Sequence, residues 1–142
     1  MRLKTIMSRN VEAIGPGETL ERAERRMQRR GIHHLVVVKR GAVVGILSEA
    51  TLQAKLAAGV AKVQDAMHRH APIGGPEMTV AQAARMMRGR AEGALPIFAG
   101  NTLVGIVTIS DLLDVLGRRV AADTPARAPR GLTRLPTAAL GG

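Results

Sequence analysis

Written against itself at an offset of sixty positions, this sequence repeats. Residues 7–52 align on 67–112 without a gap. Identities fall at Met7/Met67, Arg9/Arg69, Gly15/Gly75, Pro16/Pro76, Thr19/Thr79, Ala23/Ala83, Arg25/Arg85 and Met27/Met87. They continue at Arg30/Arg90, Leu35/Leu95, Val44/Val104, Gly45/Gly105, Ile46/Ile106 and Leu52/Leu112, which makes 14 of 46. Conservative pairs such as Val37/Ile97, Leu47/Val107 and Ser48/Thr108 lie between them. A repeat of this period means that one supersecondary unit is built twice and that each copy is completed by its neighbour.

Both copies carry the same local signals. A short apolar segment before a Gly-Pro turn reads as a weak strand, Val11–Ile14 in the first copy and around Ile73 in the second. Thr19 and Thr79 are N-cap residues, whose hydroxyls accept from free backbone N–H groups. Leu20, Ala23 and Met27 follow at helical spacing, as do Val80, Ala83 and Met87. Two β-branched runs joined by a short turn then predict a hairpin, Leu35–Val38 with Val43–Ser48 and Leu95–Phe98 with Leu103–Thr108. A closing helix starts near Glu49 and near Ser110, with Leu52 and Leu56, and Leu112 and Leu116, on one face. The expected fold is α/β (α+β): two βαββα motifs packed as a pseudo-twofold pair, because a small sheet with helices on one side leaves an apolar face to cover. The expected boundaries are residues 1–60, residues 61–117 and a basic, disordered tail over 118–142, where the periodicity stops.

Composition narrows the function. The chain has 142 residues and no cysteine, which removes disulfides, thiolate catalysis and cysteine-held metal. Phe98 is its one aromatic residue, so stacking platforms for single-stranded nucleic acid are absent. The net charge of +10 favours acidic partners without choosing among them. The polar N-terminus does not read as a secretory signal, and no apolar run is long enough for a membrane span, so the expected location is cytoplasmic. The Arg-, Ala- and Gly-rich usage suggests a bacterial source.

Several segments of the second copy resemble the cystathionine-β-synthase-type (CBS) motif. Val63-Gln-Asp-Ala-Met67 resembles its opening, Gly93-Ala-Leu-Pro-Ile97 its central strand start, and Gly105-Ile-Val-Thr-Ile-Ser-Asp-Leu112 its ending. The resemblance covers residues 3–117. It implies a regulatory module, not an enzyme, with no obligatory cofactor. It further implies an adenosine-containing ligand (AMP, ADP, ATP or S-adenosylmethionine) in a cleft between motifs, a homodimer, and a regulated partner protein.

On the residues themselves, Thr108 ends a strand and Asp111 lies in the first turn of the next helix. Two ribose hydroxyls can donate to one carboxylate, while Thr108, Ser110 and the free N–H groups at a helix start suit ribose or phosphate oxygens. Gly93, Ala94, Leu95 and Pro96 are expected beside them, with Gly93 allowing close approach and Ala94 and Leu95 meeting an adenine ring. Asp111 at a helix start is also favourable for structure alone. The first copy departs from the pattern: Ser48 and Thr51 replace the Thr/Asp pair, and His33-His34 stands where the second copy has Gly93-Ala94. A weaker second cleft is therefore expected there. His33 and His34 could meet ligand phosphates or titrate near neutrality. His68 and His70 complete a set of four histidines without metal-ligand spacing, so no metal is assigned. Arg22, Arg25, Arg26 and Arg29 share a helix face, with Glu18 and Glu21 four residues before Arg22 and Arg25. No catalytic motif is present. Two alternatives stay open: a ligand-free dimerisation or interaction module, and nucleic-acid binding through the arginine face and tail.

Overall fold

A computed structural model describes residues 1–90 and 93–123, with side chains described as far as residue 118. The elements are α1 (Leu3–Ile6), β1 (Ala13–Ile14), α2 (Leu20–Arg30), β2 (His34–Lys39), β3 (Ala42–Ser48) and α3 (Glu49–Ala57). A 3-10 turn at Val63–Asp65 precedes α4 (Val80–Met87), β4 (Ala94–Ala99), β5 (Thr102–Thr108) and α5 (Ile109–Asp123). Met1–Leu112 forms one compact unit, and Leu113–Gly142 is a second whose described part is the continuation of α5. Among the described residues no helix is long and apolar enough to cross a membrane.

The two hairpins are near copies. β2 and β3 pair antiparallel from His34↔Ser48 to Lys39↔Ala42, with a bulge at Val37/Val38. β4 and β5 pair from Ala94↔Thr108 to Ala99↔Thr102, with the bulge at Ile97/Phe98, sixty positions on. Arg40 and Gly41 both take positive φ, 53° and 81°, as a two-residue type I′ hairpin turn requires. β1 joins its sheet parallel to β2. The corresponding strand expected around Ile73 is reduced to one bridge, Gly74↔Ile97. The bond that Val36 N–H gives Glu12 O at 3.0 Å has no counterpart, because Pro96 stands sixty positions on from Val36 and has no N–H; at Gly74 a Cβ would lie 2.8 Å from Leu95 Cδ2, so the backbone meets the core directly.

Helix starts follow the expected caps. Thr19 Oγ1 accepts from the Arg22 N–H at 3.2 Å, and Thr79 with Gln82 forms a reciprocal capping box. α2 stops at Gly31, left-handed at φ 64°. The third helix of the second copy, α5, runs to Asp123, so the helix continues six residues past 117, into the segment read as a disordered tail. The rest of that expectation falls on residues outside those described.

The sequence boundary at 60/61 is not the packing boundary. Leu3 is fully buried in a cluster with Ala83, Met87, Leu95, Ile97 and Val107, all of the second repeat. Val63 and Ala66 are buried among Leu20, Met27, Leu35 and Leu47 of the first. The same backbone bonds fix both exchanges. Leu3 N–H donates to Met78 O at 2.8 Å and Val63 N–H to Glu18 O at 2.9 Å. Each repeat thus fills the other's core with its opening segment. A third small cluster, Ile46, Ala94 and Ile106, joins strands of the two hairpins.

The exchange explains two of the repeated identities. Ser8 and Ile106 trade both backbone bonds at 2.9 Å, as do His68 and Ile46. The crossing segment therefore lies flat on the strand beside Gly105 or Gly45. A Cβ at Gly45 would come within 2.7 Å of Met67 Sδ and 2.8 Å of His68 O. At Gly105 it would meet Met7 Sδ and Ser8 O, both at 2.8 Å. The Met7/Met67 and Gly45/Gly105 pairs are one contact made twice.

Candidate functional site: a cleft built by both repeats

Thr108 is the residue at which β5 turns into α5. Its backbone N–H donates to Asp111 Oδ2 at 2.8 Å and its hydroxyl to the same oxygen at 3.1 Å. Asp111 N–H donates back to Thr108 Oγ1 at 3.3 Å. This reciprocal turn fixes the carboxylate over the first turn of α5, where the helix dipole favours it. Both bonds to the carboxylate use Oδ2. Oδ1 takes no hydrogen bond among the described residues.

That turn lines a cleft of about 400 Å³ together with Ser110 and Ile106. The opposite wall comes from the first repeat: Gly31, Ile32, His33 and His34, where α2 ends and β2 begins. Ser8 and Asn10, on the crossing segment, close a third side. Asn10 is held there by its side-chain amide, which donates to Arg30 O at 3.0 Å, while its backbone N–H donates to Ser8 Oγ at 3.2 Å. His33 Nδ1 lies 2.9 Å from Glu49 Oε1, and Glu49 N–H donates to His33 O at 2.9 Å, so this corner is tied to the start of α3.

The structure therefore regroups the candidate residues. Thr108, Ser110, Asp111, His33 and His34 share one cleft. The start of β4 does lie beside this turn, with Ala94 paired to Thr108 and Gly93 O accepting from Ile109 N–H at 2.9 Å, but Gly93, Ala94, Leu95 and Pro96 do not line the cleft. Leu95 is fully buried in the second core and Pro96 is buried as well, so neither side chain is offered to a ligand. The close approach permitted by Gly93, at φ 58°, is to a neighbouring side chain: a Cβ there would lie 2.8 Å from Ile109 Cγ1. Ala94 lines a different cleft of about 300 Å³ with Ile46, His68, His70 and Arg90. The cause is the pseudo-twofold arrangement, which sets the strand start of one repeat against the helix start of the other. Ser48 and Thr51 repeat the cap geometry, with Thr51 N–H donating to Ser48 Oγ at 3.2 Å. Neither lines these two clefts.

Ser8, Asn10, Gly31, Ile32 and Ile106 were not legible as site residues. Gly31 serves as the stop of α2, and Ile106 entered only as a repeated identity. Ser8 and Asn10 reach the cleft only through the crossing of the opening segment. Among the described residues, no cluster of His, Asp or Glu could hold a metal ion. The arginine face of α2 is partly committed: Arg22 pairs with Glu18 at 3.3 Å, and Arg26 donates to Ala13 O at 2.8 Å. No ion pair joins Glu21 to Arg25 among the described residues.

Comparison with known proteins agrees with this architecture. The family model for the CBS domain matches twice, over residues 3–58 and 63–118. The chain is 28% identical over 114 residues to the CBS domain-containing protein YhcV of Bacillus subtilis, covering 78% of this chain and 81% of that one. Its fold is similar to the CBS domain pair of protein MJ0100, solved with 5′-methylthioadenosine and S-adenosyl-L-methionine. The TM-score there is 0.74 at 23% identity, over 84% of this chain and 98% of the other. It is also similar to CBSX2 of Arabidopsis thaliana, solved in complex with AMP. There the TM-score is 0.65 at 20% identity, over 82% and 96% of the two chains. Two matched motifs, one crossing contact made twice and a cleft shared between repeats lead to one assignment: the chain belongs to the CBS domain family, as a tandem pair.

Proposed function

We propose that this CBS pair is a regulatory module, without catalytic activity of its own, that binds an adenosine-containing ligand in the cleft between its motifs and signals its occupancy to a partner protein. The observation that carries the reading is the Asp111 carboxylate. It is held by Thr108 through Oδ2, presents Oδ1, and shares a cleft with Ser110 and with His33 and His34 of the other motif. A ribose diol donating to that carboxylate gains charge-assisted bonds of roughly 1.5–3 kcal/mol each. The apolar Ile32 and Ile106 suit the face of a base. The similar pairs solved with methylthioadenosine, S-adenosylmethionine or AMP support the same ligand class. Signalling requires that ligand affinity differ between two arrangements of the pair or of a homodimer, the assembly we propose for the module in the cytoplasm.

Calorimetric titration with AMP, ADP, ATP and S-adenosylmethionine tests this. At least one binds the wild-type protein, and Asp111→Ala weakens that binding more than about tenfold. Because Asp111 also caps α5, the variant's melting curve is recorded alongside. Silence toward all four ligands leaves the interaction-module reading, which the missing carboxylate at Thr51 and the exposure of Leu113 and Leu116 on α5 favour. Nucleic-acid binding through the arginine face would instead show affinity that falls steeply with salt.

A further inference from the structure

The first repeat carries a row of arginines that the fold itself does not require. Arg22, Arg25, Arg26 and Arg29 wall a hollow of about 230 Å³ on α2, on the side away from its buried residues Leu20, Ala23 and Met27. Sixty positions on, the second repeat has Gln82, Arg85, Met86 and Gly89. The same helix in the same fold thus does without three of the four guanidinium groups. The row also opposes helix stability, since Arg22 with Arg26 and Arg25 with Arg29 are like charges at i, i+4. Part of that cost is met within the chain: Glu18 lies 3.3 Å from Arg22, and Glu12 lies 3.7 Å from Arg26, which also donates to Ala13 O. Arg25 and Arg29 stand exposed, one turn apart.

We infer that this arginine face of α2 is the docking surface for an acidic helix of the regulated partner protein. Guanidinium groups meet carboxylates in planar two-bond pairs. A partner helix with Glu at i, i+3, i+4 and i+7 presents its carboxylates at the spacing of the four arginines, over about 10 Å. A nucleic-acid strand fits less well. Glu12 and Glu18 stand within the patch and repel a continuous phosphate backbone, and the one aromatic residue, Phe98, lies on β4 and gives α2 no platform for bases. The inference rests on the regulatory reading for the partner's role, and the surface itself needs no ligand. α2 ends at Gly31, which lines the Asp111 cleft, so one helix meets both.

The test is fluorescence anisotropy of the full chain, without nucleotide and at low ionic strength, with a labelled alanine-based peptide carrying Glu at i, i+3, i+4 and i+7. Arg25→Gln with Arg29→Gln is expected to weaken binding at least about fivefold. Arg85→Gln with Arg88→Gln removes two charges from the corresponding helix region of the second repeat and should weaken it less than about twofold. A peptide of the same composition with the glutamates out of helical register should bind at least about threefold more weakly than the matched one. Equal losses in the two double variants would reduce the effect to net charge and overturn the inference, as would absence of peptide binding. Tighter binding of a single-stranded oligonucleotide, lost in the Arg25/Arg29 variant, would assign the face to nucleic acid instead. A change of oligomeric state in that variant, read by light scattering, would assign it to a second copy of the chain. Its melting temperature should hold or rise as the repulsion is relieved, and a fall of several degrees would mark the row as structural. Because no nucleotide is present, failure of this test leaves the adenosine site standing, and failure of the adenosine titration leaves the docking surface standing.

Discussion

Gly105 shows how much a missing methyl group can carry. The crossing segment lies so close that a Cβ would meet the Ser8 carbonyl at 2.8 Å, and Ser8, pinned to Ile106 by a 2.9 Å hydrogen bond at its carbonyl and another at its N–H, cannot yield cheaply. Gly105→Ala is expected to cost about 1–3 kcal/mol, the range for overpacking, and to lower the melting temperature by several degrees. Gly45→Ala should behave alike, whereas Gly117→Ala, with open space around its Cβ, should not destabilise. Differential scanning calorimetry of the three variants checks this. The contact was visible in the sequence only as an unexplained pair of identities. Asp111 was legible in type and turn, because a Thr-x-x-Asp pattern at a strand–helix junction dictates its own local geometry. What faces Asp111 was not legible. Local pattern placed Gly93–Pro96 beside this turn, and the hairpin does pair Ala94 with Thr108, but the cleft that Asp111 lines opens toward His33 and His34 of the other repeat.

At the scale of elements, the short α1 matters out of proportion to its four residues. Its Leu3 is fully buried in the core of the second motif, and Leu3→Ala is expected to destabilise by about 2–5 kcal/mol. Denaturant unfolding followed by circular dichroism measures it. Equal stability of wild type and variant would mean that the opening segment does not complete that core. Outside the core, Lys4 Nζ donates to Glu77 Oε2 at 2.8 Å, and this bond with the ammonium's charge holds the Glu77 carboxyl below its ordinary range. A carboxyl whose pKa is lowered by folding adds stability above its unfolded value, and loses it as pH falls through the folded one. Melting temperatures of wild type and Glu77→Gln should therefore differ slightly near neutrality and converge in acid, the pair being solvent-exposed. Helices, hairpins and caps followed from periodicity and cap chemistry. The strand at Ile73 is cut to one bridge because Pro96 has no N–H to donate where Val36 does in the first repeat, and α1 was missed because four residues carry no helical period.

For the whole molecule, the repeat is a sequence unit and the pair is the folding unit. Each motif lends the other its opening segment, so the cores are completed only together, and the cleft inherits the same reciprocity. Its floor is the start of α5 and its wall is the start of β2, joined by Ser8 and Asn10 on the crossing strand. A ligand seated there would contact both motifs at once, and would bias their arrangement to the extent that it bound one arrangement more tightly than another. Amide chemical-shift mapping of the labelled full chain with saturating S-adenosylmethionine tests this most directly. The expected result is a joint perturbation of Ser8, of Gly31 to His34 and of Thr108 to Asp111. Perturbations confined to His68–Pro72 and Ala94, or none at all, would contradict a shared site at Asp111.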